Sequence, residues 1–168
     1  DTGNKTLFGR SGNFDGDTLI DIILEQPAAA QFIAQKFWRN FISETYIRKR
    51  EILSIANQFR SRNYDLKTLY RATFTTPAFW ETQLRGTIVK SPVDMIIGTV
   101  RSTGFLPADW TSFPSKLEKL GQHLFEPPNV AGWPGGYTWI TPSSLLSRRD
   151  VMLKFFKSQG PEVLSMMQ

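Results

Sequence analysis

Cysteine is absent from the 168 residues, and histidine occurs once. The first absence excludes a disulfide framework, a thiol nucleophile and an iron–sulfur cluster. The second excludes a multi-histidine zinc or iron site built from this chain alone. Neither fixes a compartment, because cysteine-free chains suit oxidising and reducing spaces equally. No stretch approaches the roughly 18 apolar residues that a membrane-crossing helix needs. A Gly-rich phosphate loop, a nucleophile elbow and a His-Glu-x-x-His pair are all missing. So are internal repeats and low-complexity tracts. What remains for chemistry is carboxylates, hydroxyls, lysine and arginine, and composition alone implies no cofactor.

What is present is a chain of one-domain length that is 40% hydrophobic and 21% charged, which excludes wholesale disorder. The net charge of +5 is unevenly spread. Residues 1–25 are acidic on balance; residues 36–71 are basic, from Lys36 and Arg39 through Arg48, Lys49 and Arg50 to Arg71. Without a dense basic run or a nucleic-acid motif, these cations read as solvated helix faces. No nucleic-acid partner and no membrane span is expected. The start, Asp1-Thr2-Gly3-Asn4-Lys5, has neither an initiator Met nor a charged-then-apolar leader, and reads as a cut end.

Apolar spacing and Pro/Gly punctuation predict helices throughout. Residues 1–16 read as a loop with at most a short strand at Leu7-Phe8. A helix after Asp15-Gly16-Asp17 carries Leu19, Ile20, Ile22, Ile23 and Leu24. Pro27 opens a second, whose wide stripe (Ala30, Ile33, Ala34, Phe37, Trp38, Phe41, Ile42) places it at the centre of the core, with Phe37 as a key buried ring. A third spans 46–59 with Ile52, Ile55, Ala56 and Phe59 inward. Asp65 caps a fourth, with Leu66, Leu69, Tyr70 and Phe74 on one face. Thr76-Pro77-Ala78-Phe79-Trp80 reads as a turn or short helical piece. Ser91-Pro92-Val93-Asp94 is a capped start, with Val93, Ile96, Ile97 and Val100 inward and Gly104 as the stop. Further helices follow Pro114, with Leu117, Leu120 and Leu124, and Pro142, with Leu145, Leu146, Met152, Leu153 and Phe156. The expected fold is therefore all-α: an irregular multi-helix bundle with a long Pro/Gly/Trp-rich loop and at most a short β element. The expected organisation is a single helical domain over 1–168, the C-terminal portion of a longer protein. It comprises a loop (1–16), a helical core (17–125), a Trp/Pro/Gly loop (126–141) and a C-terminal helix (142–158).

The most unusual segment runs from Glu126-Pro127-Pro128-Asn129 to Gly132-Trp133-Pro134-Gly135-Gly136-Tyr137-Thr138-Trp139. Asn129, Trp133, Tyr137 and Trp139 are its candidate binding residues. The rings suit a sugar face, a base or a partner protein, or else they close the core. Pro134 restrains the loop, and Gly135 and Gly136 permit a positive φ. Trp133 is expected as a core lid and Trp139 as partly exposed. Asn13, Asp15 and Asp17 alternate as at the opening of a calcium loop. Thr18 and Leu24 then stand where that pattern wants Gly and Glu, so a helix cap explains them better. His123 has no carboxylate or hydroxyl set beside it by the sequence and reads as a surface histidine. No catalytic residue is assigned.

Several segments together resemble a large bacterial family, the domain of unknown function 1800. They are Gly12-Asn13-Phe14-Asp15-Gly16-Asp17, Pro27-Ala28-Ala29-Ala30-Gln31-Phe32-Ile33-Ala34-Gln35-Lys36-Phe37-Trp38, Thr76-Pro77-Ala78-Phe79-Trp80, Lys90-Ser91-Pro92-Val93-Asp94 and Pro127-Pro128-Asn129-Val130-Ala131-Gly132-Trp133-Pro134-Gly135-Gly136. The resemblance covers nearly the whole chain and only the C-terminal part of family members. It implies an exported protein, periplasmic or extracellular. It also implies two partners: the missing N-terminal part, and a co-encoded family resembling sulfatases and phosphatases. It implies no activity. In family members a His precedes the motif matching Asp1-Thr2-Gly3.

Three functions follow as expectations. The first is a binding and assembly module. The second is the C-terminal part of a hydrolase whose chemistry lies upstream, with Asp1, Asp15 or Asp17 contributing. The third is a carbohydrate-binding module using Trp133 and Trp139. A protein that has lost a covering surface should expose apolar residues, with Leu19, Ile20, Ile23 and the aromatic loop as candidates.

Overall fold

The computed structural model describes residues 2–107 and 109–157. Apart from one small antiparallel sheet the fold is all-α, with eight α-helices among the described residues. The chain divides into two compact units, Asp1–Ile88 and Val89–Gln168. Asp1 and the end of the expected last helix, Ser158, lie outside the described residues.

The first unit opens on a hairpin. Strands β1 (Lys5–Leu7) and β2 (Arg10–Gly12) pair antiparallel, with Thr6 opposite Ser11. Phe8 and Gly9 form the two-residue turn, both at positive φ (48° and 78°), which suits the right-handed strand twist. Helix α1 (Gly16–Glu25) follows, capped as expected: Asp15 accepts from the Thr18 amide at 2.9 Å and from its hydroxyl at 2.6 Å. The hydroxyl contact leads in lowering the Asp15 pKa.

Helix α2 (Pro27–Phe41) is the centre of the first core. Ala30, Ala34, Trp38 and Ile42, at four-residue steps, face Ile52, Ile55, Ala56 and Phe59 of α3 (Lys49–Ser61) and Leu69 and Ala72 of α4 (Leu66–Phe74). The two alanines let the helices approach closely. Trp38, not Phe37, is the fully buried ring, and its indole N–H donates to the Tyr46 carbonyl at 2.9 Å. Phe37 and Phe41 lie one position round the helix. They join Tyr70 and Phe74 in an aromatic row of edge-on and tilted contacts with centroids 5.1–6.0 Å apart, and Phe41 is exposed.

Helix α3 begins three residues later than the spacing suggests, because 43–46 is held as a turn. Ser43 Oγ accepts from the Tyr46 amide, and the Tyr46 carbonyl is taken by Trp38. Asp65 caps α4 through Thr68, again lowering the Asp65 pKa chiefly through the threonine hydroxyl. Leu66 and Tyr70, expected inward, are exposed; Ala72 and Thr73 take the buried positions. A short helix, α5 (Pro77–Trp80), buries Ala78 and is tied to the start of α3 by Arg48, which grips Glu81 with two bonds of 2.7 and 2.6 Å.

In the second unit, α6 (Pro92–Thr103) has the expected ends. Ser91 Oγ accepts from the Asp94 amide, and Gly104 sits at φ 72° with its N–H on Val100. Ile96 and Val100 are buried, Val93 is half-buried and Ile97 is exposed. The second core joins Ile96 to Phe113 and Leu117 of α7 (Phe113–Lys119) and to Leu120. Gln122 accepts from the Val93 amide at 3.0 Å, satisfying a free N–H in the first turn of α6. Helix α8 (Pro142–Lys157) packs Val151, Met152 and Phe155 inward. Leu145 and Leu146 do not follow the expected inward face: they are exposed. Arg148 on the same helix reaches the Lys90 carbonyl at 2.9 Å, and its desolvation lowers its pKa.

Candidate functional site

The polypeptide between α7 and α8 is built from turns, and each turn has a local cause. Gly121, at φ 91°, ends the first helix; a β-carbon there would sit 3.7 Å from the Trp139 ring. The next turn runs 123–126, with the Glu126 amide on the His123 carbonyl. It folds the Glu126 carboxylate back onto the imidazole, Oε2 to Nδ1 at 2.9 Å. Between them Phe125 holds φ 65° with its ring 93% exposed, a costly conformation for a bulky residue. Asn129 then forms a turn of its own, its Oδ1 accepting from the Ala131 amide at 2.8 Å and its carbonyl from Gly132. Gly132, Gly135 and Gly136 all have positive φ (88°, 65° and 59°). Gly135 pairs this with ψ 179°, a region essentially closed to other residues.

The chain next makes a tight 3-10 turn (Gly136–Trp139) and enters α8. Thr138 Oγ1 donates to the Gly135 carbonyl. Ser144 Oγ donates to the Trp139 carbonyl at 2.8 Å and accepts from the Thr141 amide, while Thr141 Oγ1 accepts from the Ser144 amide. The loop is thus fixed at both ends by hydrogen bonds.

A cleft of about 500 Å³ opens beneath this loop. Trp133 and Pro134, the edge of Trp139, the His123–Glu126 pair, Glu118, Lys119 and the hydroxyl-bearing Thr138, Thr141, Ser143, Ser144 and Ser147 line it. Of the four candidate binding residues, the structure brings Trp133 and Trp139 to this cleft. Asn129 and Tyr137 are exposed and do not line it. The two indoles exchange the roles expected of them. Trp139 is buried, with 6% of its surface accessible. Trp133 is half-buried and forms a wall. The reason is the 3-10 turn, which rotates Trp139 inward beside Gly121, where no side chain competes for the space. His123 is exposed, as expected of a surface histidine, but it has in Glu126 the carboxylate partner that the sequence did not set beside it. The signal for its partner was the i, i+3 spacing of His123 and Glu126 after a helix-ending glycine.

In the first unit, Asn13, Asp15 and Asp17 are exposed, and Asp15 is committed to its cap. Among the described residues no group of three or more His, Asp or Glu side chains converges as a metal ion would require. The expected apolar exposure is there. On α1 only Ile22 is buried, while Leu19, Ile20 and Ile23 are 37%, 54% and 41% accessible. The aromatic loop exposes Phe125, Val130 and Tyr137. Among the described residues no helix is long and apolar enough to cross a membrane.

The model of one protein family, described as "Protein of unknown function (DUF1800)", matches residues 1–167. No curated protein and no solved structure matches the chain.

Proposed function

The chain belongs to the DUF1800 family, and on that premise we propose that it is a binding and assembly module, docking through the outer face of α1. The observation that carries this reading is the exposure of Leu19, Ile20 and Ile23 on a helix that buries Ile22 alone. Three neighbouring branched aliphatic side chains in water forgo burial worth about 1.5–3 kcal/mol each when complete. A contiguous apolar face of this kind is the usual mark of a contact surface. The partner is a protein surface of complementary apolar character, and the acids flanking the face (Asp17, Asp21) set a polar rim.

A photo-reactive amino acid placed at Ile20 in the cells that make the protein tests this directly. Cross-linking to one defined protein is expected at Ile20, and none at the exposed position Gln58 on α3. The same adducts at both positions, or none at Ile20, would remove the basis of the proposal. Ile20→Lys should abolish the adduct of a second probe at Ile23 and leave the thermal midpoint in place.

A further inference from the structure

Beside the cleft under Trp133 lies a second cavity of about 260 Å³, lined by Ser115, Lys116, Lys119, Ser147, Asp150, Val151 and Lys154. Lys119 and Ser147 line both cavities, so the two adjoin. Their electrostatics differ. At the Trp133 end the Glu118 and Glu126 carboxylates stand with Lys119 and the His123 imidazole, a mixed polar wall. At the other end Lys116, Lys154 and the shared Lys119 face Asp150, and Asp109 acts on Lys116 from the adjoining side. Lys116 is held in place there, 2.9 Å from Ser112 Oγ and 4.6 Å over the Phe113 ring. Among the described residues, none of the ion pairs within 4 Å engages Lys119 or Lys154.

We propose that the two cavities form one binding site for an acidic saccharide. The uncharged part of a sugar ring sits in the larger cleft against Trp133, and a sulfate or carboxylate substituent sits among Lys116, Lys119 and Lys154. Each part of the site matches one part of that ligand. The half-buried indole offers an apolar face to ring C–H groups. Sugar hydroxyls both donate and accept; the Glu118 and Glu126 carboxylates accept, as does the Thr138 hydroxyl, whose proton is on the Gly135 carbonyl, and the Ser143 hydroxyl does either. The three lysines supply charge-assisted hydrogen bonds to the anionic group. The loop is restrained by Pro134 and by hydrogen bonds at its entry to α8, so binding orders little. A nucleic acid fits less well, because its evenly spaced phosphates would meet the two glutamates at the Trp133 end. This site is separate from the α1 face and does not depend on it.

Isothermal titration of the full chain with a chondroitin sulfate tetrasaccharide, tetragalacturonate, neutral cellotetraose and a short DNA duplex tests the assignment. At least one acidic saccharide is expected to bind about tenfold or more tightly than cellotetraose, and to weaken as salt is raised. Lys154→Ala should weaken the acidic saccharide alone, and Trp133→Ala both acidic and neutral ones. Lys154 is exposed, so its variant remains informative even where Trp133→Ala lowers the thermal midpoint. Four results would each overturn the proposal: no acidic saccharide binding at millimolar concentration, cellotetraose binding as well as the acidic probes, the duplex binding as tightly as they do, or an affinity that either substitution leaves unchanged.

Discussion

The two units reach order by different routes. In the first, three helices meet around one buried tryptophan, Trp38, and the core is a set of regular stripes: every fourth residue of α2 against the inward faces of α3 and α4. In the second, the core is a smaller cluster, and the path from α7 to α8 is set one turn at a time by glycines, an asparagine and reciprocal hydroxyl caps. Periodic burial makes a robust scaffold whose surface is free to vary. Turn-by-turn specification makes a concave surface with polar groups at fixed positions. The candidate ligand site lies where the second strategy operates.

The sharpest test of this contrast is a pair of tryptophans. Trp38→Ala should cost about 3–5 kcal/mol, the range for a large buried ring lost to a cavity, while Phe37→Ala, at the aromatic edge, should cost clearly less; chemical denaturation of both variants reads the difference. In the second unit, Trp139→Ala should cost about 3 kcal/mol as a core ring, and Trp133→Ala only about 1 kcal/mol, within the common range for partly exposed positions. Equal losses at the two would show that the loop is merely a lid. Next in size is the backbone. Gly135→Ala should destabilise by about 1–3 kcal/mol, because a β-carbon is strained at φ 65°, ψ 179°, whereas Gly98→Ala, inside α6 with open space around it, should be neutral or stabilising.

The smallest effect concerns acid. Asp15 and Asp65 in the first unit, and Asp109 in the second, have lowered pKa values through threonine hydroxyls and amides. A carboxylate depressed in the folded state stabilises fully above its unfolded pKa, about 4. That stabilisation disappears as pH falls through the folded value. Asp15→Asn with Asp65→Asn should therefore lower stability at neutral pH, change it little below the folded pKa values, and so flatten the acid limb of a stability–pH curve. Asp109→Asn should do so to a smaller degree.

Much of the first unit was legible in the sequence. Ile52, Ile55, Ala56 and Phe59 were all readable from three- and four-residue spacing, and the caps at Asp15 and Asp65 from their residue types, as were Ser91 and Gly104 at the ends of α6 in the second unit. Two failures have one cause: spacing identifies a wide apolar stripe but not which of its edges faces inward. Phe37 and Trp38 were therefore exchanged in importance, and Leu145 and Leu146 were placed inside. At the cleft, Trp133 was readable as a candidate because a Pro/Gly-rich setting holds it. The burial of Trp139, the return of Glu126 onto His123 and the approach of Lys154 from α8 depend on positive-φ turns and tertiary packing, which no periodicity encodes.

The C-terminal end of α1 is clamped by polar contacts. Tyr64 donates its hydroxyl to the Leu24 carbonyl, Arg60 reaches the Glu25 carbonyl at 2.6 Å, and Arg10 pairs with the Glu25 side chain. Tyr64 can do this because Asn63 and Tyr64 both take left-handed backbone angles, which turn its ring onto Phe59. Towards its start the helix buries Ile22 and is capped by Asp15. Such a segment opens locally at a free energy well below that of global unfolding, pivoting on its clamped end. Amide hydrogens of the first two turns should exchange ahead of those in α2 and α3. A partner seated on Leu19 and Ile20 would suppress that opening, so the exchange rate of a few amides reports occupancy of the whole face.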